Sequence, residues 1–119
     1  MAVRNLIFRQ PSTAKTATFS TPDIPLDYDT LSLLVNVTAV SGGTPSMVIT
    51  VEGKDEDGVY VTLATLPAIT AANKVAASFG PDTANNAALP ATLRITFTIT
   101  GSTPSFTFTV SAYGGRIGS

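Results

Sequence analysis

From Leu31 onward, apolar and polar residues alternate with a period of two. Leu31, Leu33, Val35, Val37 and Ala39 fall on one face, and Ser32, Leu34, Asn36, Thr38 and Val40 on the other. This period, enriched in β-branched residues, predicts a strand rather than a helix. After Gly42-Gly43-Thr44-Pro45, Met47, Ile49 and Val51 continue the inward face while Val48, Thr50 and Glu52 point out. The acidic turn Lys54-Asp55-Glu56-Asp57-Gly58 then predicts a reversal into Val59-Tyr60-Val61-Thr62-Leu63, so that three antiparallel strands form a meander. Further on, Leu93, Ile95, Phe97 and Ile99 face in against Arg94, Thr96, Thr98 and Thr100, and Phe106, Phe108, Val110 and Ala112 resume the inward face. Helical periodicity is absent throughout.

Two of these stretches are near copies. Val40-Ser41-Gly42-Gly43-Thr44-Pro45-Ser46-Met47-Val48-Ile49-Thr50-Val51 recurs as Ile99-Thr100-Gly101-Ser102-Thr103-Pro104-Ser105-Phe106-Thr107-Phe108-Thr109-Val110, Pro45 becoming Pro104 at a constant offset of 59 positions. Each copy reads as a β-hairpin reversing at Gly-x-Thr-Pro-Ser. An antiparallel sheet with one buried face needs a second layer to cover it. The expected fold is therefore all-β: an antiparallel β-sandwich built from two related hairpin and meander halves.

The flanking segments are less regular. Residues 1–20 carry Arg4, Arg9 and Lys15 without an acid, which suits either a basic arm reaching a partner or a first edge strand. Thr21 to Asp29, broken by Pro22 and Pro25, reads as an extended crossover, since proline withholds a backbone donor. The sandwich domain is expected over residues 21–113, with 114–119 as a flexible tail. Between Pro67 and Pro90 the chain is rich in Ala, Asn and Pro. One apolar island, Val75-Ala76-Ala77-Ser78-Phe79, is suited to a further strand. A connection of this length is usually functional, so it is expected at a contact surface.

Composition narrows the choice of function. The 119 residues are 44% hydrophobic and only 13% charged, so the exterior must be finished by Thr, Ser, Asn and backbone rather than by ions. A net charge of −1 offers no field for neutralising phosphates, which argues against nucleic acid or an anionic membrane as partner. With no Cys there are no disulfides, thiolate metal sites or thiol nucleophiles. With no His, the side chain that titrates near neutrality is missing. The first residues lack a signal-type apolar run and no stretch is long enough to span a bilayer, so a chain made in the cytoplasm is expected.

Candidate chemistry is sparse. Asp55-x-Asp57-Gly58 resembles the opening of a calcium loop but lacks the closing Glu, and reads better as a solvated turn. Asp27 and Asp29 flank Tyr28 without any sign of a shared cleft. A nucleophilic serine would need Lys15, Lys54 or Lys74 as its base, and all three fall in apparent loops or arms. Asn36-Val37-Thr38 matches a glycosylation sequon inside a strand, and Gly-x-Thr-Pro-Ser is followed by no phosphate-binding helix start. No enzymatic activity, metal or cofactor is expected. The outward ladder of Thr96, Thr98, Thr100, Thr107 and Thr109 suits either plain strand propensity or a flat face that packs on a larger assembly.

Four sequence features, spanning roughly residues 30–113, resemble small accessory virion proteins of tailed double-stranded DNA bacteriophages. They are Leu33-Leu34-Val35-Asn36-Val37-Thr38-Ala39-Val40-Ser41-Gly42, Thr44-Pro45-Ser46 leading to Val48-Ile49-Thr50-Val51-Glu52-Gly53-Lys54-Asp55, Phe79-Gly80-Pro81, and Leu89-Pro90-Ala91-Thr92-Leu93-Arg94-Ile95 leading to Phe106-Thr107-Phe108-Thr109-Val110. Where that family often has Trp after the acidic turn, this chain has Tyr60. The resemblance implies a non-enzymatic β-sandwich on the capsid surface, a decoration or cement protein that binds the major capsid protein and bridges its subunits, itself a dimer or trimer. Arg4, Leu6, Ile7, Phe8 and Arg9 would latch onto the shell, for example by adding a strand to an open sheet edge. A tail or head–tail connector component is the alternative from the same resemblance. A carbohydrate-binding module using Tyr28, Tyr60 or Tyr113 as a stacking platform is the alternative from another class.

Overall fold

The computed structural model describes residues 3–25, 30–79 and 91–116. Seven strands account for most of them: β1 Val3–Lys15, β2 Phe19–Ser20, β3 Ile24–Pro25, β4 Thr30–Lys54, β5 Tyr60–Thr65, β6 Asn73–Phe79 and β7 Thr92–Arg116. No helix occurs among the described residues. All pairings are antiparallel, so the chain is an all-β protein.

The two 25-residue strands β4 and β7 run side by side along their whole length, from Thr30 opposite Gly115 to Gly53 opposite Leu93. Neither is straight. The rings of Phe97 and Phe108 lie 5.3 Å apart, although eleven extended residues would separate them by roughly 36 Å. The paired ribbon therefore folds over at its middle, and its two ends become facing layers. One layer holds β6, residues 31–37 of β4, residues 106–116 of β7, and β1. The other holds β5, residues 46–54 of β4, residues 92–99 of β7, and the short β2 and β3.

This arrangement corrects the expected hairpins. Gly42-Gly43-Thr44-Pro45 and Gly101-Ser102-Thr103-Pro104 do not return the chain beside itself. Each turns it from one layer to the other, and each arm pairs with the other copy, Gly43 opposite Ser102. The duplication survives in the backbone. Gly42 and Gly101 have φ of +114° and +127°, and Thr44 and Thr103 have φ of +45° and +44°. A Cβ on Gly42 would meet the Thr103 carbonyl oxygen at 2.7 Å and the Pro104 Cα at 2.8 Å. On Gly101 it would meet the Gly43 oxygen at 2.9 Å and the Pro45 Cα at 3.0 Å. The two corners thus pack on each other reciprocally, and only glycine fits where they cross. Of the expected meander, only the reversal at Asp55–Gly58 is a hairpin, joining β4 to β5.

Alternation predicts the core well, up to the corners. Leu33, Met47, Ile49, Val51, Ile95, Phe97, Phe106, Phe108, Val110 and Ala112 are fully enclosed in one apolar cluster. Each of these side chains larger than Ala112 contributes on the order of 1.5–3 kcal/mol relative to exposure. Ala39 departs from its expected inward place. A bulge between Val37 and Ala39 shifts the register, leaving Ala39 exposed and bringing Val40 against the core. The expected crossover over 21–29 is woven into the sheet where it is described. Thr21 exchanges hydrogen bonds with Ile95, N–H to carbonyl at 2.9 Å and hydroxyl from N–H at 3.1 Å, and Ile24 pairs with Leu93. At the other end, β7 continues beyond residue 113 through buried Gly114 and Gly115.

Candidate functional site

The four-stranded layer presents a broad outer face. Opposed residues of an antiparallel pair point the same way, which orders this face in rows: Leu6 beside Tyr113 beside Ser32, and Arg9 beside Ser111 beside Leu34 beside Ala76. The next row sets Thr109 beside Asn36 beside Lys74. Leu6 and Leu34 stand about half exposed, at 50% and 47%. Beside Leu34 lies a groove of about 290 Å³ lined by Val35, Asn36, Lys74, Val75, Ala76, Thr109 and Ser111. The strand segments of this layer carry Arg4, Arg9, Lys15, Lys74 and Arg116 and not one Asp or Glu. The overall charge of −1 conceals this separation.

The expected latch residues sit on β1, which pairs with β7 from Val3 opposite Arg116 to Lys15 opposite Phe106. Leu6 and Arg9 are exposed on the outer face, while Ile7 and Phe8 pack against the core. The bulge between Leu6 and Phe8 produces this split by breaking strict alternation. The side chain of Arg4 lies outside the described residues. β1 also holds Gln10, whose Nε2 is sealed from solvent with no hydrogen-bond partner among the described residues.

The outer face of the other layer carries a linked set of polar groups that no sequence motif announced. Glu52 Oε1 accepts from Arg94 Nε at 2.9 Å, from Arg94 Nη2 at 2.9 Å and from the Thr96 hydroxyl at 2.5 Å. Because Thr96 spends its proton on Glu52, the 2.8 Å bond to Ser20 must run from the Ser20 hydroxyl to Thr96. Desolvation pushes the Glu52 carboxyl up, but the bonds from Thr96 and Arg94 and the guanidinium charge outweigh it and hold the group below its ordinary value. Next to it, the Arg94 guanidinium lies 3.5 Å from the Tyr60 ring centre. The Tyr60 hydroxyl donates to Asp23 Oδ1, and Lys54 Nζ binds Asp23 Oδ2 at 2.9 Å. The Tyr60 and Lys54 bonds together keep Asp23 below the usual carboxylate range, and donation to Asp23 raises the phenol. Two cations meet two carboxylates here, so the cluster is balanced. It pins β3's approach and β5 onto the ends of β4 and β7.

The remaining sequence candidates separate. Asp55 is a turn residue: its Oδ1 accepts from the N–H groups of Asp57 at 2.9 Å and Val59 at 2.8 Å, with Gly58 at a φ of +81°. Among the described residues no three His, Cys, Asp or Glu side chains are grouped to hold a metal ion. Lys54 is paired with Asp23, Lys15 lies 4.7 Å from the Phe19 ring centre, and Lys74 belongs to β6 rather than to a loop. The threonine ladder is divided by the corner. Thr96, Thr98 and Thr100 belong to the outer side of one half of β7, and Thr107 and Thr109 to that of the other. Asp27, Tyr28, Asp29, Gly80, Pro81, Leu89 and Pro90 lie outside the described residues. No protein-family model, curated protein or solved structure matches this chain.

Proposed function

We propose that the chain is a non-enzymatic structural protein of a tailed-phage virion, a decoration or cement protein that lies on the major capsid protein shell and bridges its subunits. The observation that carries this reading is the outer face of the four-stranded layer. It is wide, free of acidic residues in its strands, finished in Ser and Thr, and set with half-exposed Leu6 and Leu34. Hydroxyls and aliphatic carbons cost less to desolvate than Glu or Lys, so such a face suits contact with a large partner. Leu6 and Arg9 of the expected latch belong to this face. The contact therefore uses the outward residues of β1 while Ile7 and Phe8 hold the strand to its own core. The capsid surface is the corresponding location, and a dimer or trimer suits a shell's local axes.

The carbohydrate-binding alternative loses one platform, because one face of Tyr60 carries Arg94 and its hydroxyl is engaged by Asp23. The test uses expanded heads of the encoding phage prepared without this protein, to which the purified chain is added. Saturable binding at a fixed ratio to capsid subunits, with raised resistance of the heads to heat, supports decoration. Leu6→Asp with Arg9→Glu is expected to abolish occupancy in a protein that still folds. No binding to heads, together with rings or tubes formed by the chain alone, would move the assignment to the tail.

A further inference from the structure

Among the described residues, the large hydrophobic side chains that stand exposed fall into two pairs, and the pairs sit in opposite electrostatic surroundings. Leu6 and Leu34 share the outer face that bears Arg9 and Lys74. Val59 and Val61, 56% and 52% exposed, come just after Asp55-Glu56-Asp57-Gly58, Val59 at the tip joining β4 to β5 and Val61 at the start of β5. The nearest cation to that tip, Lys54, is already paired with Asp23. Arg9 and Lys74 have no ion-pair partner among the described residues. One patch is thus apolar and basic, the other apolar and acidic, and they lie on different layers of the molecule.

We propose that these patches bind each other between copies: the acidic tip of one chain seats on the basic outer face of the next, Glu56 toward Lys74, with Val59 and Val61 against Leu34 and its groove. Opposite charge steers the encounter and sets its register, and the apolar pairs supply the burial. The groove of about 290 Å³ has room for two valine side chains. Because the two patches differ, the contact is heterologous. A bound pair still has one free tip and one free groove, so association continues past a dimer unless the rotation closes a ring. The tip covers only the β4–β6 edge of the face, around Leu34 and Lys74, and leaves Leu6 and Arg9 on β1 for the shell. A tip in a groove is a small interface, so the association is weak in solution and gains from copies being held side by side.

Sedimentation velocity on the isolated full-length chain tests this, at low salt and at roughly 0.5 M salt, where surface charges are screened beyond a few ångström. The wild type is expected to form species larger than a dimer as concentration rises, and to lose them at high salt. Lys74→Glu and Glu56→Lys, both at surface positions, are each expected to weaken association about tenfold or more while leaving circular dichroism unchanged. Mixing the two variants restores it, since each supplies the charge the other needs. A monomer at every concentration, a closed dimer indifferent to both variants, or a mixture that fails to reassociate would overturn the proposal. So would a basic face that instead binds random-sequence duplex DNA in a Lys74-dependent way without self-association. The measurement needs no capsid, so its failure leaves the decoration reading standing, and failure to bind heads leaves this one standing.

Discussion

Gly42→Ala is the most direct probe of the folded-over ribbon. Two costs meet at this position. The backbone φ of +114° lies where an L side chain is strained, on the order of 1–3 kcal/mol. The new Cβ would also press on three backbone atoms of the other corner at 2.7, 2.8 and 2.9 Å, and overpacking of that kind costs about 1–3 kcal/mol. Together they amount to roughly 2–6 kcal/mol, against a total stability of about 5–15 kcal/mol for a domain of ordinary size. At about 3–5 °C per kcal/mol for a chain of this length, the melting temperature falls by roughly 6–30 °C. Gly101→Ala, its counterpart at φ +127° with contacts of 2.9, 3.0 and 3.0 Å, should fall by a similar amount.

Two other glycines separate the terms. Gly58 has φ +81° but its nearest atom is the Lys54 side chain at 3.8 Å, so Gly58→Ala isolates the backbone cost at about 1–3 kcal/mol. Gly43 has no positive φ, and a Cβ there would come close only to the Ser102 side chain, its Cβ at 3.2 Å, with the nearest backbone atom at 3.9 Å, so Gly43→Ala should cost less than about 1 kcal/mol. Urea titrations with a shared slope give all four values. Should Gly42→Ala prove no worse than Gly43→Ala, or should Gly101→Ala be neutral, the crossing of the two corners is wrong. If the corner variants do not fold at all, the order of Gly58→Ala above Gly43→Ala still decides whether positive φ carries the cost.

Three further outcomes follow from packing and charge. Phe97→Ala and Phe108→Ala should each cost about 3–5 kcal/mol, and the double variant should show a coupling of about 0.5–1.5 kcal/mol; additive losses in a double-mutant cycle would mean the rings do not touch. Glu52 is held below its ordinary value of 4.5, so its stabilising effect is complete above that pH and is lost as pH falls through the lower folded value. Glu52→Gln should therefore cost about 1–2 kcal/mol near neutrality, with the gap to wild type closing in acid as the lowered carboxylate takes up its proton, in titrations followed by fluorescence or circular dichroism. A gap that widened in acid would reverse the assigned direction. Gln10→Leu removes an enclosed amide nitrogen with no partner among the described residues and should raise stability by about 1 kcal/mol in thermal melts, whereas a loss would mean the amide is satisfied.

Much of this protein is readable from residues alone because burial along a strand is a local, period-two property. The inward positions Leu33, Val35, Met47, Ile49, Leu93, Ile95, Phe106 and Phe108 are all enclosed, and the duplicated Gly-x-Thr-Pro-Ser marks two equivalent bends. Where alternation failed, at Ala39 and between Leu6 and Phe8, a bulge had inserted a residue that no side-chain preference required. Partner choice was not legible either. Glycine at positive φ followed by Thr-Pro serves a hairpin and a corner equally well. Whether the next run returns beside the last or crosses to another layer depends on which distant strand it meets. The same long-range choice brought Asp23, Tyr60 and Arg94 together from three segments, and set Arg9 and Lys74 on a face opposite in sign to the acidic tip. Backbone torsions and hydrophobic period are properties of neighbouring residues, so the chain alone determined the strands, their buried sides and the internal repeat. The crossing of the corners, the polar cluster and the separation of charge arise between residues far apart in the chain, and only the tertiary structure decided them.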